Sequence, residues 1–505
     1  MDEPALVLGS RSRALAELGE RRFDLLVVGG GIVGAGVAAV AAGHGLAVAL
    51  VDRGDFGGGT SSASSKLVHG GLRYLRLGDI GLVREAHQER RALMGTVAPH
   101  LVHRLPFLFP LYEQGPYRPW FVQSGIVLYS TLARARLNGL VAPDRARRMV
   151  PELRGAGLRS CALYADAWTN DARLTLANVR AAAAAGATVL NYAEVVALRG
   201  AEGAEVAADG ERVTVRARAV VNAAGPWVDH VRRLEEPAAG RSIRLSKGVH
   251  VVIDPGARWP CALTVPHDQV RVTFAVPWHG MLLLGTTDTL YEGDPGDAAC
   301  AEEDIAQVLD EASVALDPEL VRRDRVRVAF AGLRVLPGGD GETADARRET
   351  VYSRGPAGML SVAGGKLTTY RRIALEVLGR LRSDLGLHRI DRQPRPLPGA
   401  EGLDRVSLPV ELAPPVRGHL LNLYGTLAAE VLAPAVDDPS LLDPLRPDGP
   451  DLAAQALYAT THEWAVTADD VLRRRTTAWL RGESARARST TARMLGSTAD
   501  SIAGR

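Results

Sequence analysis

Between Phe23 and Asp52 the chain runs apolar strand, glycine turn, alanine-rich helix, apolar strand and acid, and few folds accept that order. FDLLVV (Phe23–Val28) is a short buried-strand pattern, and Leu46–Val51 is a second. Between them lies Gly29-Gly30-Gly31-Ile32-Val33-Gly34, with glycines at Gly29, Gly31 and Gly34 in the G-x-G-x-x-G spacing. Such a turn brings backbone N–H groups at a helix N-terminus against a pyrophosphate. Asp52, 18 residues after Gly34, stands where an acid takes a ribose hydroxyl. Leu25–Val51 carries no formal charge over 27 residues and is long enough to span a bilayer, but seven glycines break it into strand, turn and helix.

The remainder is organised around this unit. Residues 1–22 read as a polar N-terminal extension. Leu82–Met94 and Arg173–Ala185 read as helices. Trp120–Leu132 is apolar and partly amphipathic, with Arg134 and Arg136 close behind; it reads as a core helix or as one lying on a membrane surface. Arg212–Val221 is a strand entering a small-residue turn at Ala224-Gly225, as where a chain returns to its cofactor. Residues 248–290 form an antiparallel meander. Arg325–Leu336 is a further strand. Met359–Ala363 leads into Gly364-Gly365-Lys366-Leu367-Thr368 and a helix running to about Leu381. The expected fold is α/β, a Rossmann-type FAD-binding domain with an inserted antiparallel substrate sheet and a C-terminal helical domain. The bounds are 23–390 for the discontinuous cofactor domain, about 95–160 and 240–350 for the inserted sheet, 391–415 for a proline-rich linker and 416–505 for the helical domain.

Composition excludes some classes. Of 505 residues 46% are hydrophobic and 23% charged, and the formal net charge is +2, so no nucleic-acid partner is indicated. Cys161, Cys261 and Cys300 lie far apart and offer neither a disulfide framework nor metal-ligand spacing, which suits a reducing compartment; no metal is expected. No signal peptide is read at MDEPALVLGS. Of 60 basic residues only Lys66, Lys247 and Lys366 are lysine. In so arginine-rich a chain, a retained lysine suggests a need for a compact ammonium.

A flavin enzyme needs a pyrophosphate cradle, close backbone around the ring and a positive field near the ring's N1; Gly364-Gly365-Lys366 at a helix start suits the last. Four stretches in order, TSSASSKLVHGGLRYL (Thr60–Leu75), VVNAAGPWV, GTTDT and GGKLTTYRR, together with EWAVTADDVLRRRT (Glu463–Thr476), resemble the FAD-dependent glycerol-3-phosphate dehydrogenases over about residues 23–480. The resemblance implies hydride transfer from C2 of sn-glycerol 3-phosphate to FAD, giving dihydroxyacetone phosphate. The want of a credible span, the apolar Trp120–Leu132 stretch and the arginine-rich C-terminal region add the expectation of electrons passed to quinone by a cytoplasmic protein held peripherally on the anionic inner face of the cell membrane. A homodimer is compatible with the resemblance.

The same resemblance places Thr60, Ser61, Ser62, Ser65, Lys66 and Leu67 along the cofactor, with Gly70 and Gly71 letting backbone pass the flavin ring. Gly365, Lys366, Leu367 and Thr368 join them. His69, Arg73 and Tyr74 face the substrate, and Arg73, Arg334 and Arg348 hold its phosphate. The base is His69 or Lys366. Without the resemblance, the hydroxyls read as helix caps and His69 as a core histidine. Val33, Val335 and Asn170 depart from the family, which has Asn, Pro and an acid there; Gly57-Gly58-Gly59 replaces a less glycine-rich segment. Rival readings are an oxidase using oxygen, a flavin oxidase of another hydroxy acid or amine, and a non-catalytic FAD-binding scaffold. Oxygen-using members carry an added segment for which 505 residues leave little room.

Overall fold

A computed structural model describes residues 11–72, 75, 79–134, 139–200, 203–268, 271–338 and 350–503. The strand Arg22–Val28 lies at the centre of an eight-stranded sheet. It pairs in parallel with Val48–Val51 on one side and Glu211–Asn222 on the other. Leu360–Gly364 follows in parallel and Thr350–Arg354 closes that edge antiparallel; Thr188–Leu190 forms the opposite edge. Central parallel strands are covered on both faces, which is why FDLLVV reads as a continuous apolar run. The helix Ile32–Ala42 packs on this sheet and against the helix Tyr370–Arg380, where a Cβ on Gly36 would fall 2.7 Å from the Tyr370 ring.

The parallel strands end together. Val28, Asn222 and Gly364 therefore deliver three turns, Gly29–Gly31, Ala223–Gly225 and Gly365–Leu367, to one end of the sheet. Ligands bind at that end in open α/β sheets.

The second sheet has ten strands and is antiparallel except where Ala262–Pro266 meets Val102–Tyr112 in parallel. Its longest pairs are Ile243–Ile253 with Val326–Pro337 and Val102–Tyr112 with Leu158–Thr169. This sheet takes in more chain than 95–160 and 240–350. Leu158–Thr169 runs past the expected limit, and Leu67–Val68, within the hydroxyl-rich stretch, pairs with Trp168 and Ala167. Val102–Tyr112 was hidden by Pro106 and Pro110, which cannot donate to a ladder. Four residues apart, both missing donors fall on the same side of the strand.

Two peripheral segments are more integrated than their sequences suggest. The helix Arg11–Glu20 buries Leu15 and Leu18, and Arg11 donates to the Asn191 carbonyl at 3.0 Å, so this part of the expected extension belongs to the core. Residues 391–415 are not a free linker. Leu397 is buried with its N–H on the Val97 carbonyl at 2.8 Å, and Leu408, Val410 and Leu412 pack against the C-terminal core. That core gathers Leu420, Tyr424, Val431, Tyr458 and Val471 from Pro414–Tyr424, Ala428–Leu432, Ala453–His462 and the turns that follow.

Candidate active site

A cleft of about 700 Å³ opens where the three turns meet the second sheet. Gly29 and Gly31 line it. Gly29 takes φ +105°, and a Cβ there would sit 2.6 Å from the Ala223 carbonyl oxygen. Gly34 lies behind the lining; its Cβ would fall 1.8 Å from the Gly29 oxygen, so this third glycine closes helix onto turn. Asp52 ends the second strand and accepts the Gly30 N–H at 2.6 Å and the Gly54 N–H at 2.8 Å. Burial pushes its carboxyl up to about 6, against those two hydrogen bonds. Ala224 and Gly225 line the facing wall beside Trp227, which the Arg53 guanidinium covers at 4.6 Å.

The hydroxyl run knits the cleft together. Ser61 Oγ accepts the Ile32 N–H at 2.9 Å, at the very helix start that faces the cradle. Thr60 donates to the Leu333 carbonyl at 2.6 Å, tying the run to the strand that carries Arg334. Ser64 donates to Asp171 at 2.7 Å, and Ser65 lies 2.9 Å from His250 Nε2. Thr60, Ser61, Ser65 and Leu67 line the cleft; Ser62 and Lys66 do not. Lys66, expected at the cofactor, is instead a buried cation behind the wall, paired with Asp171 at 2.7 Å and lying 4.9 Å from the Trp278 ring. Lys247 likewise pairs with Asp304 at 2.6 Å. Two of the three lysines thus serve ion pairs packed into the wall and substrate sheet, and only Lys366 reaches the cleft.

His69 lines the cleft, and its backbone is locked to the Lys366 turn. Its N–H donates to Thr368 Oγ1 at 3.1 Å, and that hydroxyl donates to the His69 carbonyl at 3.2 Å. Gly365, Lys366, Leu367 and Thr368 line the same region. Gly365 has φ +89°, and Lys366 precedes the turn Leu367–Thr369 that opens the helix Tyr370–Arg380. Gly70 and Gly71 fall outside the lining. What a side chain at Gly70 would strike is the His87 ring, 2.3 Å from its Cβ, so the need for glycine there comes from the protein behind the loop.

Arg334 reaches the cleft from Val326–Pro337. Its guanidinium donates to the Thr287 carbonyl at 2.9 Å and Thr286 Oγ1 at 2.8 Å, with Asp288 Oδ1 at 3.8 Å. GTTDT is therefore the seat of this arginine. Gly248 makes room for it, since a Cβ would fall 2.4 Å from Nη2. Arg73, Tyr74 and Arg348 lie outside the described residues.

Sequence reasoning missed His250 and Asp171. His250 is buried in the cleft wall, stacked on Phe330 at 5.1 Å and held neutral by burial, with Arg334 and Lys66 adding to the effect. Its only sequence signal was its place beside Lys247-Gly248. Arg474, from the far end of the chain, also lines the cleft. Of the departures, Val33 and Val335 line the cleft, whereas Asn170 caps the helix Asp171–Ala184 by accepting the Arg173 N–H at 3.1 Å, a role an acid also fills. Gly58 and Gly59 lie in the lining, Gly59 with 3.1 Å between its would-be Cβ and Trp227.

Residues 24–371 match the family described as FAD dependent oxidoreductase, and residues 393–498 match the C-terminal domain of alpha-glycerophosphate oxidase. Glycerol-3-phosphate dehydrogenase 2 of Mycobacterium tuberculosis is 38% identical over 502 residues, covering 94% of this chain and 84% of that one. The chain belongs to the FAD-dependent glycerol-3-phosphate dehydrogenase family. Another relative, D-erythritol 1-phosphate dehydrogenase of Brucella abortus, is 37% identical over 486 residues, covering 90% of this chain and 94% of that one. The crystal structure of glycerol-3-phosphate dehydrogenase from Bacillus halodurans complexed with FAD superposes with a TM-score of 0.74 at 27% identity, covering 98% of this chain and 97% of that one. FAD is the cofactor of this family, and the cleft suits it. Gly29 and Gly31 bring side-chain-free backbone to the cleft at a helix start, the setting that suits a pyrophosphate, and Asp52 lines it at the end of the second strand, where an acid suits a ribose.

Proposed function

We propose that the chain oxidises sn-glycerol 3-phosphate at C2 to dihydroxyacetone phosphate and passes the electrons to quinone. The observation that carries this is one cleft containing the dinucleotide cradle, Arg334, His69 and Lys366 together. FAD, when bound, would supply the two-electron acceptor for the hydride from C2. Arg334, seated on Thr286 and Thr287 at the cleft wall, is the guanidinium that meets the substrate phosphate in this reading. Arg73, Tyr74 and Arg348 complete the substrate side in this reading. His69 takes the C2 hydroxyl proton, for which an imidazole is suited near neutrality. Lys366, at the turn that opens the helix Tyr370–Arg380, would supply positive charge near the flavin ring. His250, kept neutral, accepts or donates a hydrogen bond without adding charge.

Peripheral membrane attachment fits a quinone acceptor, and the helix Pro119–Leu132 supports it by exposing Trp120, Phe121, Val127 and Leu128. Among the described residues no helix is long and apolar enough to cross a membrane. A second reading is a four-carbon polyol phosphate as substrate, supported by the near-equal identity of the erythritol phosphate relative, 37% against 38%.

The test is anaerobic addition of sn-glycerol 3-phosphate, D-erythritol 1-phosphate or glycerol to the FAD-loaded protein while the flavin absorbance is followed. Bleaching by glycerol 3-phosphate at the lowest concentration is the expected result. Preferential bleaching by the erythritol ester selects the second reading, and bleaching by none of them sinks both. Rapid reoxidation by air rather than by a quinone analogue would replace quinone with oxygen.

A further inference from the structure

His69 is followed by a peptide whose N–H does not point at the cleft. Gly70 N–H donates to Asp166 Oδ1 at 3.2 Å, and Asp166 lies buried in the strand Leu158–Thr169. Two further donors hold that carboxylate. The Tyr129 hydroxyl lies 2.9 Å and 2.8 Å from its oxygens, and Arg90 donates to Oδ1 while also reaching the Ala165 carbonyl at 3.1 Å. The His87 ring stands against Tyr129 at 4.4 Å and fills the space behind Gly70. On the other side of His69, Thr368 takes both backbone polar groups. The backbone around this histidine is therefore anchored at three consecutive polar groups, two from the Lys366 turn and one from Asp166.

None of Asp166, Tyr129, Arg90 and His87 lines the cleft. A charged pair in so buried a place is weak evidence for stability on its own, because desolvation offsets most of the attraction. What the arrangement specifies is geometry: one acceptor, held from two sides, for one loop N–H. A base displaced by about 1 Å from its reacting proton loses on the order of a hundredfold in rate.

We propose that Asp166, held by Tyr129 and Arg90, is a positioning residue that fixes the His69 loop for flavin reduction. This rests on the reading of His69 as the base in the cleft.

The test is stopped-flow flavin reduction by sn-glycerol 3-phosphate under anaerobic conditions, with FAD content and melting temperature measured on the same samples. Tyr129→Phe keeps the ring against His87 and removes one of the two side-chain donors that hold the carboxylate. Its limiting reduction rate should fall about tenfold, equivalent to about 1.4 kcal/mol. The substrate concentration at half-maximal rate should move less than about threefold, and FAD content should stay at the parental value. A parental limiting rate, with only a lower melting temperature, overturns the proposal. The paired change Asp166→Asn with Arg90→Gln leaves Gly70 an acceptor and no buried charge unpaired. With the acceptor no longer held from the Arg90 side, the limiting rate of this pair should also fall about tenfold with FAD content retained, and a parental rate overturns the proposal. A parental protein that is not reduced at all refutes the functional reading beneath it, which separates the two failures.

Discussion

Asp52 meets the cleft as a carboxyl pushed up to about 6 by its own burial. A ribose hydroxyl donating to it stabilises the charged form, so FAD binding should release a proton from this group near that pH. FAD affinity of the apoprotein should therefore rise about tenfold between pH 5 and pH 7, and the rise should vanish in Asp52→Asn. Isothermal titration in two buffers of different ionisation enthalpy reads both the affinity and the proton. Stability of the apoprotein has the matching sign. A carboxyl raised in the folded state contributes stability below about pH 4 that is lost as pH climbs through about 6, by about 3 kcal/mol for this group. Arg334→Ala should cost roughly 1.5–3 kcal/mol of transition-state binding, or about ten- to 150-fold in kcat/KM for glycerol 3-phosphate. Bleaching by glycerol should change far less, and equal losses for both would show that Arg334 does not hold the phosphate. Residues set in local spacing were readable from sequence, as with Gly29, Gly31 and Asp52. Lys66 and His250 were not, because their environments are built by Asp171, Trp278 and Phe330 from distant strands.

At the scale of elements, the helix Ile80–Ala92 braces both loops of the site. Arg90 reaches Asp166 behind His69, and Glu89 binds Arg371 through two hydrogen bonds of 2.9 Å and 2.7 Å, just beyond the Lys366 turn. The helix Pro119–Leu132 packs beside it through Tyr129 and carries one buried and one exposed apolar face. Val122, Ile126 and Tyr129 face the core, while Trp120, 66% exposed, Phe121, Val127 and Leu128 face outward. A stretch with no charged residue gives no sign of which side is wet, and only packing decides it. Arg118 and Arg134 stand exposed at its two ends. Vesicles containing anionic lipid should bind the protein at low salt and release it as salt screens the arginines. The double change Trp120→Ser with Phe121→Ser should lower that partition about tenfold or more. Flotation that leaves the parental protein entirely unbound at low salt would remove the membrane from the functional reading.

The whole molecule is closed by its C-terminal domain. Asp55, three residues beyond Asp52, is buried and held below the usual carboxylate range against its own burial by Arg475 and Arg474, and Arg475 Nη2 lies 2.8 Å from it. Arg475 also donates to the Glu463 carbonyl at 2.6 Å, and Arg173 ties Glu463 back to the cofactor domain at 2.6 Å. Arg475→Ala leaves Asp55 less compensated in the interior and should cost about 3–5 kcal/mol. The expected readout is a lower melting temperature with FAD lost on gel filtration; retained FAD and an unchanged melt would show that the clamp is dispensable. The helical character of this region was legible in its sequence, but the clamp was not, because no periodicity links positions 420 residues apart.

That separation also sets an order of events during synthesis. A ribosome adding roughly 5–20 residues per second needs on the order of 20–80 s to travel from Asp55 to its guanidinium partners. Throughout that interval the nascent chain holds the glycine turn and Asp52, but lacks the cleft-lining Arg474 and the buried Arg475 that clamps Asp55. If Arg475→Ala loses FAD as expected, retention of the cofactor is acquired only once residue 475 has been made.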